Sequence, residues 1–218
     1  MALQIKICGL KDAQLARYAH ENGANFLGFI HFEKSPRHLS LNDMASLMTE
    51  IRSTHPMAKL VSVVVDPEDS LLEVLASRLK PDFIQLHGKE SPERVAEIKQ
   101  RFHIPLIKAI SVLESGDIAT ASAYEAHVDY LLFDAKTPKG SDLPGGMGVR
   151  FDWKIMGHYN SPKPYFLAGG IDINSVDQAI SETKTRMIDV SSGVELQPGL
   201  KDATRLKAFL DHVTHLKI

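Results

Sequence analysis

Eight short apolar runs, each followed by a polar or glycine-rich break and in most cases by an amphipathic stretch, dominate this chain. They are Leu3–Cys8, Asn25–Ile30, Lys59–Val64, Asp82–Leu86, Pro105–Ile110, Tyr130–Phe133, Tyr165–Ala168 and Met187–Val190. Each holds four to six residues rich in Ile, Val, Leu, Phe and Tyr, and reads as a buried strand. Strands that alternate with helical segments pair in parallel, because a tight hairpin cannot join them. Eight such units match the α/β class with a closed (β/α)8 TIM barrel, in which chemistry gathers at the C-terminal ends of the strands. The search for a site therefore narrows to eight short places.

The helical stretches carry their own punctuation. Asp12 opens a first helix running to Glu21, and Gly23 stops it. Ser40 reads as the N-cap of a helix reaching about Arg52. Asp66-Pro67 and Ser91-Pro92 place proline early in the third and fourth helices, the fourth spanning Ser91–Arg101 with Glu93 in its first turn. The fifth unit is the weakest, with Gly116 and an Ala/Ser-rich stretch, whereas Asp202–His215 forms a clear last helix. The longest irregular stretch lies between Asp134 and Phe151, with Pro138, Pro144, Gly140, Gly145, Gly146 and Gly148. A loop this long in a compact domain, on the face that builds barrel sites, is expected to be functional.

At 218 residues the chain has no Pro/Ser-rich linker, charge block or low-complexity run, so a single domain over residues 1–218 is expected. A net charge of −2 argues against a general nucleic-acid binder, although the cluster Glu33–His38 suits one small anion. One cysteine excludes an internal disulfide and fits a reducing compartment. No apolar stretch approaches the roughly 18 residues of a membrane span, and no secretory signal opens the chain. The expectation is a soluble cytoplasmic protein, monomer or homodimer, with no membrane or nucleic-acid partner.

Taken in order, the strand ends present Cys8, His31, Asp66, His87-Gly88, Asp134, Gly169-Gly170 and Asp189 with Ser191-Ser192-Gly193. By strand parity Cys8 shares a face with Lys6, while Ile5 and Ile7 point the other way. A lone cysteine is most often a small core hydrophobe, but a strand end followed at once by glycine favours a site residue. The glycine breaks after strands seven and eight let backbone N–H groups approach a ligand, and Ser191-Ser192-Gly193 can open a short extra helix. Barrels frequently hold a substrate phosphate at that pair of loops. Tight βα turns are the plain alternative.

Two other enzyme readings stay open on the residues alone. His31, Asp66, His87 and Asp189 are strand-end groups that could hold a divalent metal, as in sugar-phosphate epimerases. Lys6 and Lys108 permit a Schiff-base aldolase, although a buried lysine paired with a carboxylate is commoner. A non-catalytic phosphate-binding module would keep the glycine loops and have no use for Cys8 and Asp134.

An ordered set of segments runs along the chain: Lys6–Leu10 (KICGL), Ser35–Arg37 (SPR), Gln85–Gly88 (QLHG), Asp134, and Pro144–Gly148 leading into Phe151-Asp152-Trp153. Leu167–Ile171 (LAGGI), Asp189–Glu195 (DVSSGVE) and Pro198–Asp202 (PGLKD) complete the set, which covers nearly the full length. Together they resemble the phosphoribosylanthranilate isomerase family. The resemblance implies an Amadori rearrangement of a phosphorylated sugar substrate, N-(5′-phosphoribosyl)anthranilate, in tryptophan biosynthesis. It implies Cys8 as general base at C2′ and Asp134 as general acid at the ribose ring oxygen. Arg37 would pair with the anthranilate carboxylate, His87 and Asp189 would be polar or orienting substrate-binding residues, and Gly169, Gly170, Ser192 and Gly193 would hold the phosphate. One departure is Met147, where many members carry a small hydroxyl residue such as Thr.

The chemistry agrees with those assignments. Ring opening needs a group that starts protonated, and removal of the C2′ proton needs one that starts unprotonated. A thiol with a reference pKa near about 8.5 is expected to need only a modest downward shift to serve as base. A carboxylic acid near about 3.9 needs an upward shift or a substrate partner to hold its proton. No metal or redox cofactor is required, because the substrate nitrogen is the electron sink.

Overall fold

A computed structural model describes residues 3–137, 145, 146 and 148–216. Eight parallel strands close into a barrel in sequence order: β1 (Gln4–Cys8), β2 (Phe26–Ile30), β3 (Lys59–Val64), β4 (Phe83–Leu86), β5 (Leu106–Val112), β6 (Tyr130–Ala135), β7 (Tyr165–Leu167) and β8 (Met187–Val190). Every expected strand is present within one or two residues. Closure pairs β1 with β8 in a register that sets Lys6 opposite Asp189, while Cys8 sits opposite Gly28 on β2.

Alternation along the strands sorts side chains into two apolar layers. Ile5 and Ile7 face outward into the shell between sheet and helices, and Cys8 faces the barrel interior, as parity requires. The interior is plugged at its N-terminal end by Phe26, Phe83, Tyr130 and Met187, the first residues of the four even strands. Such a layer from alternate strands is how small barrels fill their cores. Phe166 meets Phe26 edge-on with ring centroids 5.0 Å apart. The plug leaves the opposite, C-terminal end of the barrel to be shaped by polar groups.

Helices α1 (Ala13–Glu21), α2 (Leu41–Thr54), α3 (Asp69–Val74), α4 (Pro92–Phe102), α5 (Ser115–Ala119), α6 (Val176–Thr183) and α7 (Ala203–Thr214) cover the outside. Asp12, Ser40, Ser91 and Asp202 cap α1, α2, α4 and α7 by accepting from backbone N–H groups three residues on, as the sequence indicates. None of these helices is long and apolar enough to cross a membrane.

Three elements differ from expectation. The third helix starts at Asp69, not at Asp66-Pro67. Asp66 instead takes φ +44, its N–H donates to Glu90 Oε1 (2.9 Å) and its Oδ1 accepts from Lys89 N (2.6 Å), tying the β3 and β4 loops together. Between β6 and β7 the described residues form only a 3-10 segment, Trp153–His158. Gly157 and the nearby Pro162 and Pro164 disfavour an α-helix there, and Trp153 and Met156 are buried without one. After β8 a 3-10 turn (Ser192–Val194) leads into an antiparallel hairpin, β9 (Glu195–Gln197) and β10 (Leu200–Lys201), that the sequence reading lacks.

Candidate active site

A cavity of about 820 Å³, open mouth included, lies at the C-terminal ends of the strands. Cys8, Arg37, His87, Asp134, Gly169, Gly170, Asp189 and Ser192 all line it. Of the residues expected at the site, Gly193 alone stands outside the wall. A Cβ there would lie 2.1 Å from the Ile171 carbonyl, so Gly193 serves the packing of the loops after β7 and β8. Met147 and Pro144 lie outside the described residues.

On the β1 side, the fully buried Lys6 ammonium donates to Asp189 Oδ1 at 3.0 Å across the barrel's closing register, and the Cys8 sulfur lies on the same side of Gly28 as that ammonium. Burial opposes the charge on Lys6, yet Asp189 and Cys8 more than offset it and hold the ammonium above its ordinary pKa. Burial pushes the Cys8 thiol up, Lys6 pulls it down, and Asp189 adds to the rise; the net direction is upward. The modest downward shift expected from the sequence is therefore not what the folded site produces, because desolvation of a fully enclosed thiolate outweighs one neighbouring ammonium.

This direction is measurable, since Cys8 is the only thiol in the chain. Thiolate ultraviolet absorbance should appear only above the ordinary thiol range. A titration below that range would overturn the burial argument. The linkage sign follows: a pKa raised by folding gives stability that is present below the unfolded pKa and lost as pH rises through the folded one. The stability advantage of the wild type over Cys8→Ala should therefore shrink as pH rises into the alkaline range.

Opposite β1, Asp134 is buried near the end of β6. Its Oδ1 accepts from Ala135 N at 2.9 Å, and its Oδ2 lies 3.3 Å from His87 Nε2. That contact is within ion-pair reach but outside hydrogen-bond geometry, and among the described residues Nε2 has no hydrogen-bond partner. The Gln85 amide meets His87 Nδ1 at 2.8 Å and fixes the ring. Gly145 closes over this pair so tightly that a Cβ would lie 2.3 Å from Asp134 Oδ2 and 2.8 Å from His87 Nε2. Glycine at this point lets the long loop shield the carboxyl group without displacing it.

Arg37 is buried in the loop after β2 and gives one edge of its fork to Glu195, with Nε to Oε1 at 2.8 Å and Nη2 to Oε2 at 2.7 Å. Its Nη1 sits beneath Gly146 at the cavity. The loops after β7 and β8 face each other across the remaining wall, where Gly169 (φ +82) and Gly170 (φ +66) adopt left-handed backbone beside Ser192.

A family model described as N-(5'phosphoribosyl)anthranilate (PRA) isomerase matches residues 5–212. The chain belongs to that family. A curated isomerase of this name from Caulobacter vibrioides is 44% identical over 212 residues, covering 97% of this chain and 96% of the relative. The solved phosphoribosyl anthranilate isomerase of Thermotoga maritima superposes with a TM-score of 0.84 at 31% identity, covering 98% of this chain and 100% of that one. A further solved phosphoribosyl anthranilate isomerase, in complex with reduced 1-(o-carboxyphenylamino)-1-deoxyribulose 5-phosphate, matches with a TM-score of 0.81 at 29% identity, covering 98% and 100%. Membership in the phosphoribosylanthranilate isomerase family makes the chain an isomerase of tryptophan biosynthesis.

For a phosphoribosylanthranilate isomerase, the rival strand-end groups have visible occupations. His31 Nδ1 meets the Leu39 carbonyl at 2.9 Å, Asp66 ties two loops, and Asp189 holds Lys6. Among the described residues no three His, Cys, Asp or Glu side chains are placed to share a metal ion. Lys108 donates to Glu90 Oε2 at 2.8 Å and to the Gly88 and Ala109 carbonyls, the buried pairing that the sequence reading weighed against an aldolase lysine.

Sequence reasoning missed Gly28 as a site residue. A Cβ there would lie 2.9 Å from Cys8 Sγ and 3.1 Å from Lys6 Nζ, so the strand-interior glycine makes room for the thiol and ammonium together. An isolated glycine inside an apolar strand was the available clue. Glu195 ends the segment DVSSGVE, and its partner Arg37 is 158 residues away, so local sequence does not reveal the pairing.

Proposed function

We propose that this isomerase converts N-(5′-phosphoribosyl)anthranilate to 1-(2-carboxyphenylamino)-1-deoxyribulose 5-phosphate, with Asp134 as general acid and Cys8 as general base. One observation carries the reading: Cys8, on the first strand, and Asp134, on the sixth, line the same cavity as the paired glycine turns. The carboxylic acid of Asp134 gives its proton to the ribose ring oxygen as the C1′–O bond breaks. The nitrogen lone pair then forms the iminium to C1′. Cys8 thiolate takes the C2′ proton, the electrons flow to that nitrogen, and the resulting enolamine tautomerises to the ketone. A thiolate whose pKa is raised is scarcer at rest but a stronger base once formed.

Gly169, Gly170 and Ser192 hold the phosphate, with Gly193 setting the turn behind them, and Arg37 receives the anthranilate carboxylate through its free edge. Asp189 orients Cys8 through Lys6, and His87 stands beside the acid. The homologue bound to reduced 1-(o-carboxyphenylamino)-1-deoxyribulose 5-phosphate supports this choice of substrate. The chain works as one cytoplasmic barrel domain, monomeric or homodimeric. The test is direct: purified protein given phosphoribosylanthranilate should abolish its anthranilate-type fluorescence. Persistence of that fluorescence with folded protein would remove the substrate assignment.

A further inference from the structure

The hairpin β9–β10 contributes nothing to the cavity wall, yet two of its side chains are buried charges. Glu195 accepts two hydrogen bonds from the Arg37 fork, one from Gly199 N at 3.2 Å and one from Lys201 Nζ at 2.6 Å. Burial alone would raise the Glu195 pKa, but Arg37 and Lys201 hold the carboxyl below its ordinary range. Lys201 goes on to Ser191 O (3.0 Å) and Oγ (3.2 Å), and Ser191 Oγ donates to the Cys8 carbonyl at 3.0 Å. One continuous polar chain thus runs from Arg37 to the backbone of β1.

Two physical consequences follow. An arginine side chain has several rotatable bonds, and a carboxylate gripping Nε and Nη2 leaves it one orientation, with Nη1 under Gly146 at the cavity. An Arg–Glu pair alone would carry no net charge, so it would offer an anionic ligand little. Burial lowers the Lys201 pKa, but Glu195 at 2.6 Å favours the ammonium, which adds a positive charge to the cluster and keeps Glu195 from cancelling Arg37.

We propose that Glu195 is a positioning residue that gives the site its preference for amine substrates bearing an ortho-carboxylate, by holding the Arg37 fork in one orientation. This rests on the reading of Arg37 as the carboxylate ligand. Glu195 touches the arginine and not the cavity.

The experiment compares phosphoribosylanthranilate with the corresponding phosphoribosylated aniline, which lacks the carboxylate, for wild type, Glu195→Gln, Glu195→Asp and Arg37→Ala. Glutamine keeps the volume but presents an amide to a donor of the fork, and aspartate keeps the charge but is too short to grip both nitrogens. The ratio of kcat/KM between the two substrates should fall by about 10- to 100-fold in Glu195→Gln, chiefly through KM, because a bidentate charged contact is lost. Glu195→Asp should show a smaller fall, and serves as the deciding variant if Glu195→Gln does not fold. A merely structural role would lower both substrates together and leave the ratio unchanged; that result overturns the inference. If Arg37→Ala lowers the ratio and neither Glu195 variant does, only the positioning inference fails. If Arg37→Ala also leaves the ratio unchanged, the carboxylate reading of Arg37 fails and the inference falls with it.

Discussion

Cys8→Ser should cut turnover by about 10²- to 10⁴-fold, the usual contribution of a positioned proton-transfer group, while fold and product affinity stay close to wild type. Serine is smaller than cysteine, so it fits the space that the missing Cβ of Gly28 leaves, and the Lys6–Asp189 pair across the closing register is expected to stay. What changes is the acidity of the group. The hydroxyl is far weaker as an acid than the thiol, and burial that already pushes the thiol up would penalise an alkoxide more. Lys6 cannot stand in as base, because Asp189 and Cys8 hold its ammonium above the ordinary lysine range. The measurement is kcat from fluorescence loss together with product binding. Turnover within a factor of about three of wild type would sink the base assignment.

The barrel was legible because the strands bury both faces and so appear as near-continuous apolar runs, as Phe26–Ile30 does. Parity placed Lys6 beside Cys8, but the partner of Lys6 depends on which strand closes the barrel. Asp189 is 183 residues away in sequence and meets Lys6 only through the β1–β8 register. The same distance problem concealed Glu195 behind Arg37. The hairpin β9–β10 escaped notice because strands of three and two residues carry no periodicity. Its clue was Pro198-Gly199, a turn pair between two short polar-apolar stretches.

Asp66 shows a different failure. Asp followed by Pro is a sound helix start locally, but Glu90 and Lys89 on the next loop offer hydrogen bonds that local sequence cannot reveal. The direction of the Cys8 shift failed for a related reason. A sequence supplies the reference acidity of a thiol, whereas the sign of its shift is set by a contest between enclosure and charge that exists only in the folded site. Strand-end positions are thus readable from the chain, and the electrostatics of those positions are not.

Asp134→Asn should abolish ring opening, with a loss of about 10²- to 10⁴-fold on the closed substrate and little change in phosphate affinity. The amide matches the carboxyl in size. Its oxygen can keep the bond from Ala135 N that Oδ1 now accepts, and its nitrogen can occupy the place beside His87 Nε2 under Gly145. The fold and the glycine turn at Gly169-Gly170, proposed to hold the phosphate, are therefore expected to survive. The lost function is specific: an amide N–H is far too weak an acid to protonate a departing ring oxygen. A substrate already in the open-chain imine form bypasses that step and meets Cys8 directly, so the variant should process it with a much smaller deficit. Single-turnover rates on the two forms separate the possibilities. Equal losses on closed and open substrate would move Asp134 from proton donor to a general electrostatic or structural part of the site, and His87, 3.3 Å away, would become the acid to test next.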